Sequence, residues 1–159
     1  MIELAKAIKL RGDGKLHESN EILKDLAKNN PDDAVINYQC AWSFDVLGKE
    51  AEAVPYYEKA LQIGLNDEDA LGAYIGLGST YRALGSYQKS KAIFERGLVR
   101  FPENNALKTF YAMTLYNLEE HIKAMEILLT CLVQTSNDPD ITSYKRAIGF
   151  YADKLDKTW

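Results

Sequence analysis

A segment of about thirty-four residues recurs along the chain, and this period restricts the fold more than any other feature. Its copies are anchored at Gly14, Gly48, Gly85 and Glu119, with spacings of 34, 37 and 34 residues. Around each anchor the order is the same: an apolar helical pattern with a small residue seven positions earlier, a turn, and a second amphipathic helical pattern. Helix pairs that repeat at this period are typical of α-solenoids. The sequence therefore predicts an all-α solenoid that acts as a binding module.

Small and large side chains alternate at fixed positions of each copy. Counted from fourteen residues before the anchor, the eighth position holds Ala7, Ala41, Gly78 and Ala112. The twentieth position holds Ser19, Ala53, Ser90 and Ala124. The twenty-fourth position holds Leu23, Tyr57, Phe94 and Leu128. We expect the small residues to let the helices of a unit approach closely, and the large ones to fill the space between adjacent units.

Turn residues mark the unit boundaries. Residues 29–33 and 101–105 each contain a proline and offer a polar side chain as N-cap for the next helix. Between the second and third repeats, residues 64–69 replace the proline and add three residues, which predicts a loop or following helix longer by about one turn. The predicted organisation is a single domain over 1–159, with repeats of about 1–32, 33–69, 70–103 and 104–138.

Two local features modify the pattern. Pro55 falls about five residues into the second helix of repeat two, which predicts either a bend or a late start near Ala53. After the fourth repeat, residues 139–157 predict a capping helix that follows Asp138 as N-cap. Its single apolar stripe consists of Ile141, Tyr144, Ile148, Tyr151 and Leu155. No comparable cap precedes the first repeat, so that edge is either self-sufficient or a contact surface.

Composition and charge argue against several classes of protein. The net charge is −4 and charges of both signs are spread along the chain, which argues against nucleic acid as a partner. The amphipathic first ten residues do not resemble a signal peptide, and no apolar run is long enough to span a bilayer. We therefore expect no membrane insertion and a cytoplasmic location. Cys40 and Cys131 lie more than two repeats apart, so we interpret them as small buried residues rather than a disulfide or zinc ligands.

The sequence contains no pattern that supports catalysis. The glycine-rich stretch at residues 76–79 follows no strand and lacks the Gly-Lys-Ser/Thr of a phosphate-binding loop. His17 and His121 have no nucleophile and carboxylate in their own units, so we interpret them as exposed turn residues. The acidic run at residues 66–69 has too few ligands for calcium and is interpreted as helix capping. We predict no enzymatic activity, no metal and no cofactor.

The positions described above resemble the tetratricopeptide repeat family over nearly the whole chain. The third repeat matches the family pattern at Leu77, Gly78, Tyr81, Gly85, Tyr87, Phe94 and Pro102. Repeat two has Glu50 and Leu65 where an aromatic residue and proline are usual, and repeat four has Glu119 and His121 in place of glycine and the aromatic residue. Repeat one is the weakest copy, with Lys6 where leucine is usual. The third and fourth repeats with the last helix are similar to small bacterial proteins of the "group five" type, which implies protein–protein interaction.

The resemblance also implies a binding groove, because in this family the first helix of each unit lines the concave face. The corresponding positions here are Leu4, Ile8, Arg11, Tyr38, Trp42, Asp45, Val46, Ile75, Ser79, Arg82, Thr109, Met113, Tyr116, Asn117, Arg146 and Phe150. This set is rich in the residue types that dominate binding hot spots, and an exposed apolar groove usually marks an interaction site. In the alternative interpretation, Trp42 and Met113 belong to the core, or Phe150 fills the groove itself.

The expected partner is another protein or peptide. The carboxylate clamp of the family's co-chaperones is absent, because Leu4 and Ile8, or Tyr38 and Trp42, stand where lysine and asparagine are needed. An extended peptide or amphipathic helix held by apolar and aromatic contacts fits better. Two other functions stay open: a small chaperone for a secreted or assembling substrate, and a self-associating scaffold. The scaffold would form a homodimer through the uncapped first repeat or through Trp159.

Overall fold

The structure, a computed structural model, describes residues 2–159, and within this range all the regular structure is α-helical. The helices are α1 (Ile2–Gly12), α2 (Leu16–Asn29), α3 (Ala34–Asp45), α4 (Glu50–Ile63), α5 (Asp67–Ala83), α6 (Tyr87–Arg100), α7 (Asn105–Asn117), α8 (His121–Thr135), α9 (Pro139–Ser143) and α10 (Lys145–Tyr151). The predicted all-α class is confirmed.

The chain divides into two compact units, of which the first ends at Ser86 and the second begins at Tyr87. In the first unit, α1 packs on α2, α2 on α3, α3 on α4 and α4 on α5, while α3 also contacts α1 and α5. In the second unit, α6 packs on α7, α7 on α8, and α10 on both α8 and α9. Apart from α8 and α9, helices that follow each other in sequence are therefore neighbours in space within each unit. The predicted single domain and repeat boundaries stay predictions.

All four repeat anchors adopt the left-handed backbone conformation. Their φ angles are 78° at Gly14, 67° at Gly48, 74° at Gly85 and 63° at Glu119. After α3, for example, the amide of Gly48 donates to the carbonyl of Asp45 at 2.9 Å, and the next amide reaches back to Phe44 at 3.1 Å. The same pair of hydrogen bonds closes the other three turns, in the pattern of a Schellman motif. The repeat period thus reflects a turn that favours glycine in each copy.

The predicted alternation of small and large residues is confirmed by their burial. Ala7, Ser19 and Leu23 in the first unit have no exposed surface, and neither does Phe94 in the second. The Ser19 hydroxyl donates to the carbonyl oxygen of Ala7 at 2.8 Å, so this buried polar group is satisfied across the helix contact. In the second unit the buried cluster contains Ala112, Leu115 and Ala124, with Tyr111, Ile127 and Leu128 packed against it. Cys40 and Cys131 are buried and unpaired, as predicted.

The first helix of each predicted repeat after the first, α3, α5 and α7, has a side-chain N-cap. Asp33 accepts from the amide of Ile36, and Asn66 and Asn104 cap α5 and α7 in the same way. The predicted lengthening after repeat two is confirmed, because α5 has 17 residues and α3 has 12. The acidic run at residues 66–69 thus lies at a helix N-terminus, where negative charge is stabilising.

The predicted late start near Ala53 is wrong, and the alternative, a bend at Pro55, stays a prediction. Helix α4 begins at Glu50 and continues unbroken through the proline to Ile63. The amide of Ala53 already donates to Lys49 at 3.1 Å, so the first turn closes before the proline is reached. The proline removes the bond to the carbonyl of Ala51, and both residues lie on the exposed side of α4. Packing of the buried face of α4 outweighs that local loss.

The predicted continuous helix over residues 139–157 is also wrong, although its start after Asp138 is confirmed. The segment forms two short helices, interrupted at Tyr144, and ends at Tyr151. The hydroxyl of Ser143 donates to the carbonyl of Asp140 at 2.8 Å, and the amide of Tyr144 bonds to Ile141 at 3.1 Å. The Ser143 side chain competes for the Asp140 carbonyl, and the amide of Tyr144 lies closer to the carbonyl three residues back than to the one four residues back. The regular series of α-helical hydrogen bonds therefore stops at Tyr144.

The apolar stripe of this segment is largely exposed, contrary to the expected dry face. Tyr144 is 66% exposed, Tyr151 47% and Leu155 49%. Part of the stripe borders an apolar cavity of about 500 Å³, together with Leu129 of α8. Helix α10 packs on α8, but no other element among residues 2–159 covers most of the apolar stripe.

Candidate functional site

The first unit contains a cavity of about 430 Å³ bordered by α3, α4 and α5. Its lining residues are Tyr38, Trp42, Asp45, Val46, Tyr57, Gly72, Ile75 and Gly76. Helix α3 contributes the first three, and Val46 follows as the C-cap residue of the same helix. The cavity therefore brings together five of the residues predicted to line the groove. Of the two aromatic residues among these five, Trp42 is 41% exposed, whereas Tyr38 is mostly buried, at 8%.

Two glycines on α5 allow the aromatic rings to approach this helix. A Cβ atom at Gly72 would lie 2.1 Å from the hydroxyl oxygen of Tyr38, and one at Gly76 would lie 2.5 Å from that of Tyr57. These distances are far shorter than any real contact, so a Cβ atom at either position would require a tyrosine ring to move. The rings of Tyr38 and Tyr57 lie 6.2 Å apart, within the range of favourable aromatic pairs.

Asp45 places a carboxylate at the cavity wall. One of its oxygens accepts from the Tyr57 hydroxyl at 2.7 Å, and the other accepts from the Thr80 hydroxyl at 2.9 Å. Burial raises the pKa of Asp45, while these two hydrogen bonds act to lower it. Burial also raises the pKa of Tyr57 well above its usual range, so its hydroxyl keeps its proton and donates to the carboxylate. The carboxylate is thus held in a fixed orientation by two neutral donors.

Trp42 carries a guanidinium of the same unit on its ring. The Arg11 Cζ atom lies 3.9 Å from the centre of the indole, in a cation–π contact. Two further bonds fix this guanidinium, to the carbonyl oxygen of Gln39 at 3.3 Å and to its side-chain oxygen at 2.6 Å. Burial lowers the pKa of Arg11, which still remains charged because the ordinary value is so high. The Tyr38 ring lies 6.0 Å from that of Trp42 on the same helix.

The remaining predicted residues of the first unit do not border this cavity. Leu4 is half-buried and Ile8 is 38% exposed, both on α1. On α5, Ser79 and Arg82 are half-buried. The hydroxyl oxygen of Ser79 is buried and has no hydrogen-bond partner among the residues that the structure describes.

In the second unit the predicted residues fall on α7 and α10. Met113 and Tyr116 of α7 are 38% and 63% exposed, and the Tyr116 ring lies 4.9 Å from that of His121. Thr109 and Asn117 are half-buried, and the Thr109 hydroxyl donates within its own helix, to the carbonyl of residue 105 at 2.7 Å. These side chains give α7 a partly exposed apolar surface.

On α10 the predicted residues Arg146 and Phe150 are exposed. The Phe150 ring forms an aromatic cluster with Tyr151 at 5.2 Å and with Trp159 at 6.0 Å. All three rings remain about half or more exposed, so the cluster does not form a buried core. Among residues 2–159, no group of acidic, cysteine or histidine side chains is arranged to hold a metal ion.

Sequence reasoning missed three residues of the first-unit cavity. Tyr57 was predicted to fill the space between adjacent repeats. Its hydroxyl reaches Asp45 only because α4 packs on α3 at this point. Gly72 and Gly76 are four positions apart, so they lie on one face of α5. In the sequence, this spacing of glycines is a signal that another helix can approach closely. A further cavity of about 360 Å³ in the second unit, bordered by Tyr111, Ile127 and Thr130 among others, also went unpredicted.

Stacked helices joined by left-handed turns, with side chains presented from the first helix of a pair, define a helical-repeat protein. A model of the tetratrico peptide repeat family matches residues 34–155. The chain therefore belongs to this family, and the predicted resemblance is confirmed. Family membership and fold support a role in protein interaction or as a scaffold. A comparison with curated proteins finds no match.

Two solved structures with the name MamA in their titles share the fold. MamA 41-end from Desulfovibrio magneticus RS-1 superposes with a TM-score of 0.75 at 19% identity, over 98% of this chain and 84% of that one. The MamA RS-1 ArsTM double mutant superposes with a TM-score of 0.67 at 15% identity, over 98% of this chain and 95% of that one. At this identity the likeness shows the fold alone. None of the helices described here has the length and apolar character needed to cross a bilayer.

Proposed function

We propose that this protein is a non-catalytic adaptor that binds a peptide or amphipathic segment of a partner protein through the surface around Trp42. The observation that carries the proposal is the open aromatic cavity of the first unit, which Trp42 borders with a ring that is 41% exposed. A large, rigid aromatic side chain beside a cavity provides extensive contact area at a small entropic cost. Family membership supports a protein as the ligand. The cytoplasmic location stays a prediction.

The surface of α7 extends the proposal to the second unit. Met113 and Tyr116 expose apolar side chains at positions that correspond, in the repeat, to Trp42 and its neighbours. The surface of each unit is tested separately. The other predicted residues, from Leu4 to Phe150, stay predictions.

The test compares variants in affinity capture from the extract of native cells. We expect Trp42→Ala to lose the captured partner and Tyr116→Ala to reduce its amount. Because both side chains are substantially exposed, their truncation leaves no internal cavity, and helicity and melting temperature should change little. The matched control is Trp159→Ala, which removes an indole that is 79% exposed at the end of the second unit.

Three outcomes contradict the proposal. Capture by Trp42→Ala equal to that of the wild type would show that the first-unit surface is not used. Loss of capture by Trp159→Ala alone would assign the interaction to the C-terminal aromatic cluster. Unfolding of Trp42→Ala would show that this residue is needed for the core.

Self-association is a second candidate, favoured by the open apolar stripe at the end of the second unit. Tyr144 and Tyr151 expose 66% and 47% of their surface beside the cavity under Leu129. An exposed apolar surface of this kind can pair with a second copy. Light scattering tests it: we expect a mass that rises with concentration and a monomer for Tyr144→Asp. A mass that is monomeric at every concentration would rule this candidate out.

A further inference from the structure

The cavity of the first unit combines aromatic walls with a carboxylate that has no cationic partner. Asp45 is oriented by Tyr57 and Thr80, both neutral donors, and it forms no ion pair with any residue that the structure describes. A partly buried carboxylate without a counter-ion is costly, because its lost hydration is not replaced by an opposite charge. A positively charged ligand would therefore supply the counter-ion that Asp45 lacks.

The charges around the cavity are predominantly negative. Besides burial, the negative charges of Asp69 and Glu68 on α5 raise the pKa of Tyr38. In the same way, Glu50 of α4 adds to the raised pKa of Asp45. Among the residues that the structure describes, Arg11 is the one cation that acts on Tyr38 and Tyr57. It is already engaged by Gln39 and the Trp42 ring, and it does not border the cavity. The field at the cavity thus favours a positive ligand over a negative one.

The aromatic rings add a second attraction for the same type of group. The faces of tryptophan and tyrosine rings attract ammonium and guanidinium groups through the ring quadrupole. Arg11 shows this for the Trp42 ring within the protein itself, with 3.9 Å between the guanidinium carbon and the ring centre. Tyr38 offers a further ring at the cavity, and the nearly buried Tyr57 borders it beside the Asp45 carboxylate. Apolar walls formed by Val46 and Ile75 suit the alkyl stem of a long cationic side chain.

We propose that this cavity binds one cationic side chain of the partner, a lysine or an arginine, with Asp45 as its counter-ion and with Trp42 and Tyr38 beside its stem. The inference rests on the proposed function, because it specifies which side chain the partner inserts at the Trp42 surface. Its volume of about 430 Å³ accommodates one such side chain. The ammonium or guanidinium would donate to the carboxylate while the tyrosine and threonine hydroxyls keep it in place.

The first test selects ligands without assuming a partner. The wild-type chain is used to select short random peptides displayed on phage, and the selected peptides should share a lysine or an arginine beside apolar residues. Binding of a synthetic copy is followed by Trp42 fluorescence in a chain that carries Trp159→Phe, because Trp42 is then the only indole. Replacing the shared lysine by norleucine, or the shared arginine by citrulline, keeps the shape and removes the charge. We expect about 10- to 100-fold weaker binding.

The second test changes the protein instead of the peptide. Asp45→Asn should weaken the cationic peptide by a similar factor and leave the norleucine or citrulline peptide unaffected. The matched control is Asp25→Asn, which removes a carboxylate from the exposed surface of α2 and should bind like the wild type. If lysine peptides respond to these changes and arginine peptides do not, the ligand is an ammonium; the reverse result identifies a guanidinium.

The results separate this inference from the function on which it rests. Peptides that require Trp42 but bind within about twofold after the charge is removed, on the peptide or at Asp45, would overturn the cationic ligand and leave the proposed function standing. A selection that yields no peptide dependent on Trp42 would overturn both. Because the peptide is altered in one arm and the protein in the other, a folding defect of Asp45→Asn does not obscure the outcome.

Discussion

At the scale of single residues, backbone conformation explains the anchors of the repeat and the one exception among them. Three anchors are glycine, and the fourth, Glu119, adopts the same left-handed conformation with φ of 63°. A residue with a Cβ atom pays about 1–2 kcal/mol there, because Cβ approaches the following carbonyl oxygen. The turn after α7 closes with the same hydrogen bonds as the others, so the surrounding structure imposes the conformation.

Glu119→Gly should therefore stabilise the protein by about 1 kcal/mol. The measurement is the free energy of unfolding from a denaturant titration followed by circular dichroism. Gly48→Ala is the converse control, since it places a Cβ atom in the same conformation after α3, and it should lower stability by a similar amount. Lower stability of Glu119→Gly would contradict this account of the turn.

A second residue-scale prediction concerns Asp45, whose pKa is raised by burial. A raised pKa in the folded state means that this group contributes stability below its ordinary pKa, and that the contribution is lost as the pH rises through the raised value. At neutral pH the ionised carboxylate opposes folding of the free protein. Asp45→Asn should then melt at the same or a higher temperature than the wild type at neutral pH, and lose this advantage at acidic pH.

Thermal unfolding at several pH values measures the difference, with Asp25→Asn as the control for a surface carboxylate. A variant that is clearly less stable at neutral pH would show that the hydrogen bonds from Tyr57 and Thr80 outweigh the cost of burial. The expected result, unchanged or raised stability together with lost binding of cations, is typical of a functional group kept at some cost to folding.

At the scale of elements, the contact of α5 with α3 and α4 depends on two glycines rather than on the repeat pattern. Gly72 and Gly76 do not occupy the eighth position of the unit, yet they allow two tyrosine rings to lie against the helix. The same contact gives the cavity its shape. Propensity alone would disfavour two glycines within a helix, so their presence here reflects packing.

Gly76→Ala should destabilise the protein by about 1–3 kcal/mol, because the new methyl group would lie 2.5 Å from the Tyr57 ring and hydroxyl. Tyr57 is 2% exposed and is bonded to Asp45, so it cannot move away without loss. The control is Gly149→Ala in α10, where nothing lies within 4 Å, and it should leave stability unchanged or raise it slightly. Equal melting temperatures for the two variants would refute the packing argument.

At the scale of the whole molecule, the net charge of −4 acts together with the acidic surroundings of the cavity. A positively charged peptide should be attracted before contact, and this attraction is screened by salt. We expect the association rate of a lysine peptide to fall several-fold when the ionic strength rises from roughly 20 to 200 mM. Stopped-flow fluorescence of Trp42 measures this rate, and the norleucine peptide should show a weaker dependence. An identical salt dependence of both peptides would contradict the electrostatic account.

The sequence was sufficient for the features that depend on local backbone physics. The turns at the repeat anchors, the caps at Asp33 and Asp138 and the extra turn of α5 are each encoded within a few residues, so the sequence alone predicts them. Repetition made these signals unambiguous, and it identified the family. The start of α4 at Glu50, ahead of Pro55, was not predicted as the single outcome, because packing of the buried face of this helix outweighs a local rule.

What only the tertiary structure decided is which side chains share a site. Five of the residues predicted for the groove meet at one cavity, and Tyr57, Gly72 and Gly76 join them because α3, α4 and α5 approach each other there. The break at Tyr144 and the exposure of the last apolar stripe likewise depend on which acceptors and which neighbours lie within reach. Hydrogen bonds such as that from Thr80 to Asp45 join residues 35 positions apart, and separation in sequence carries no information about such distances. The period determines the helices, and their packing determines the chemistry of the cavity.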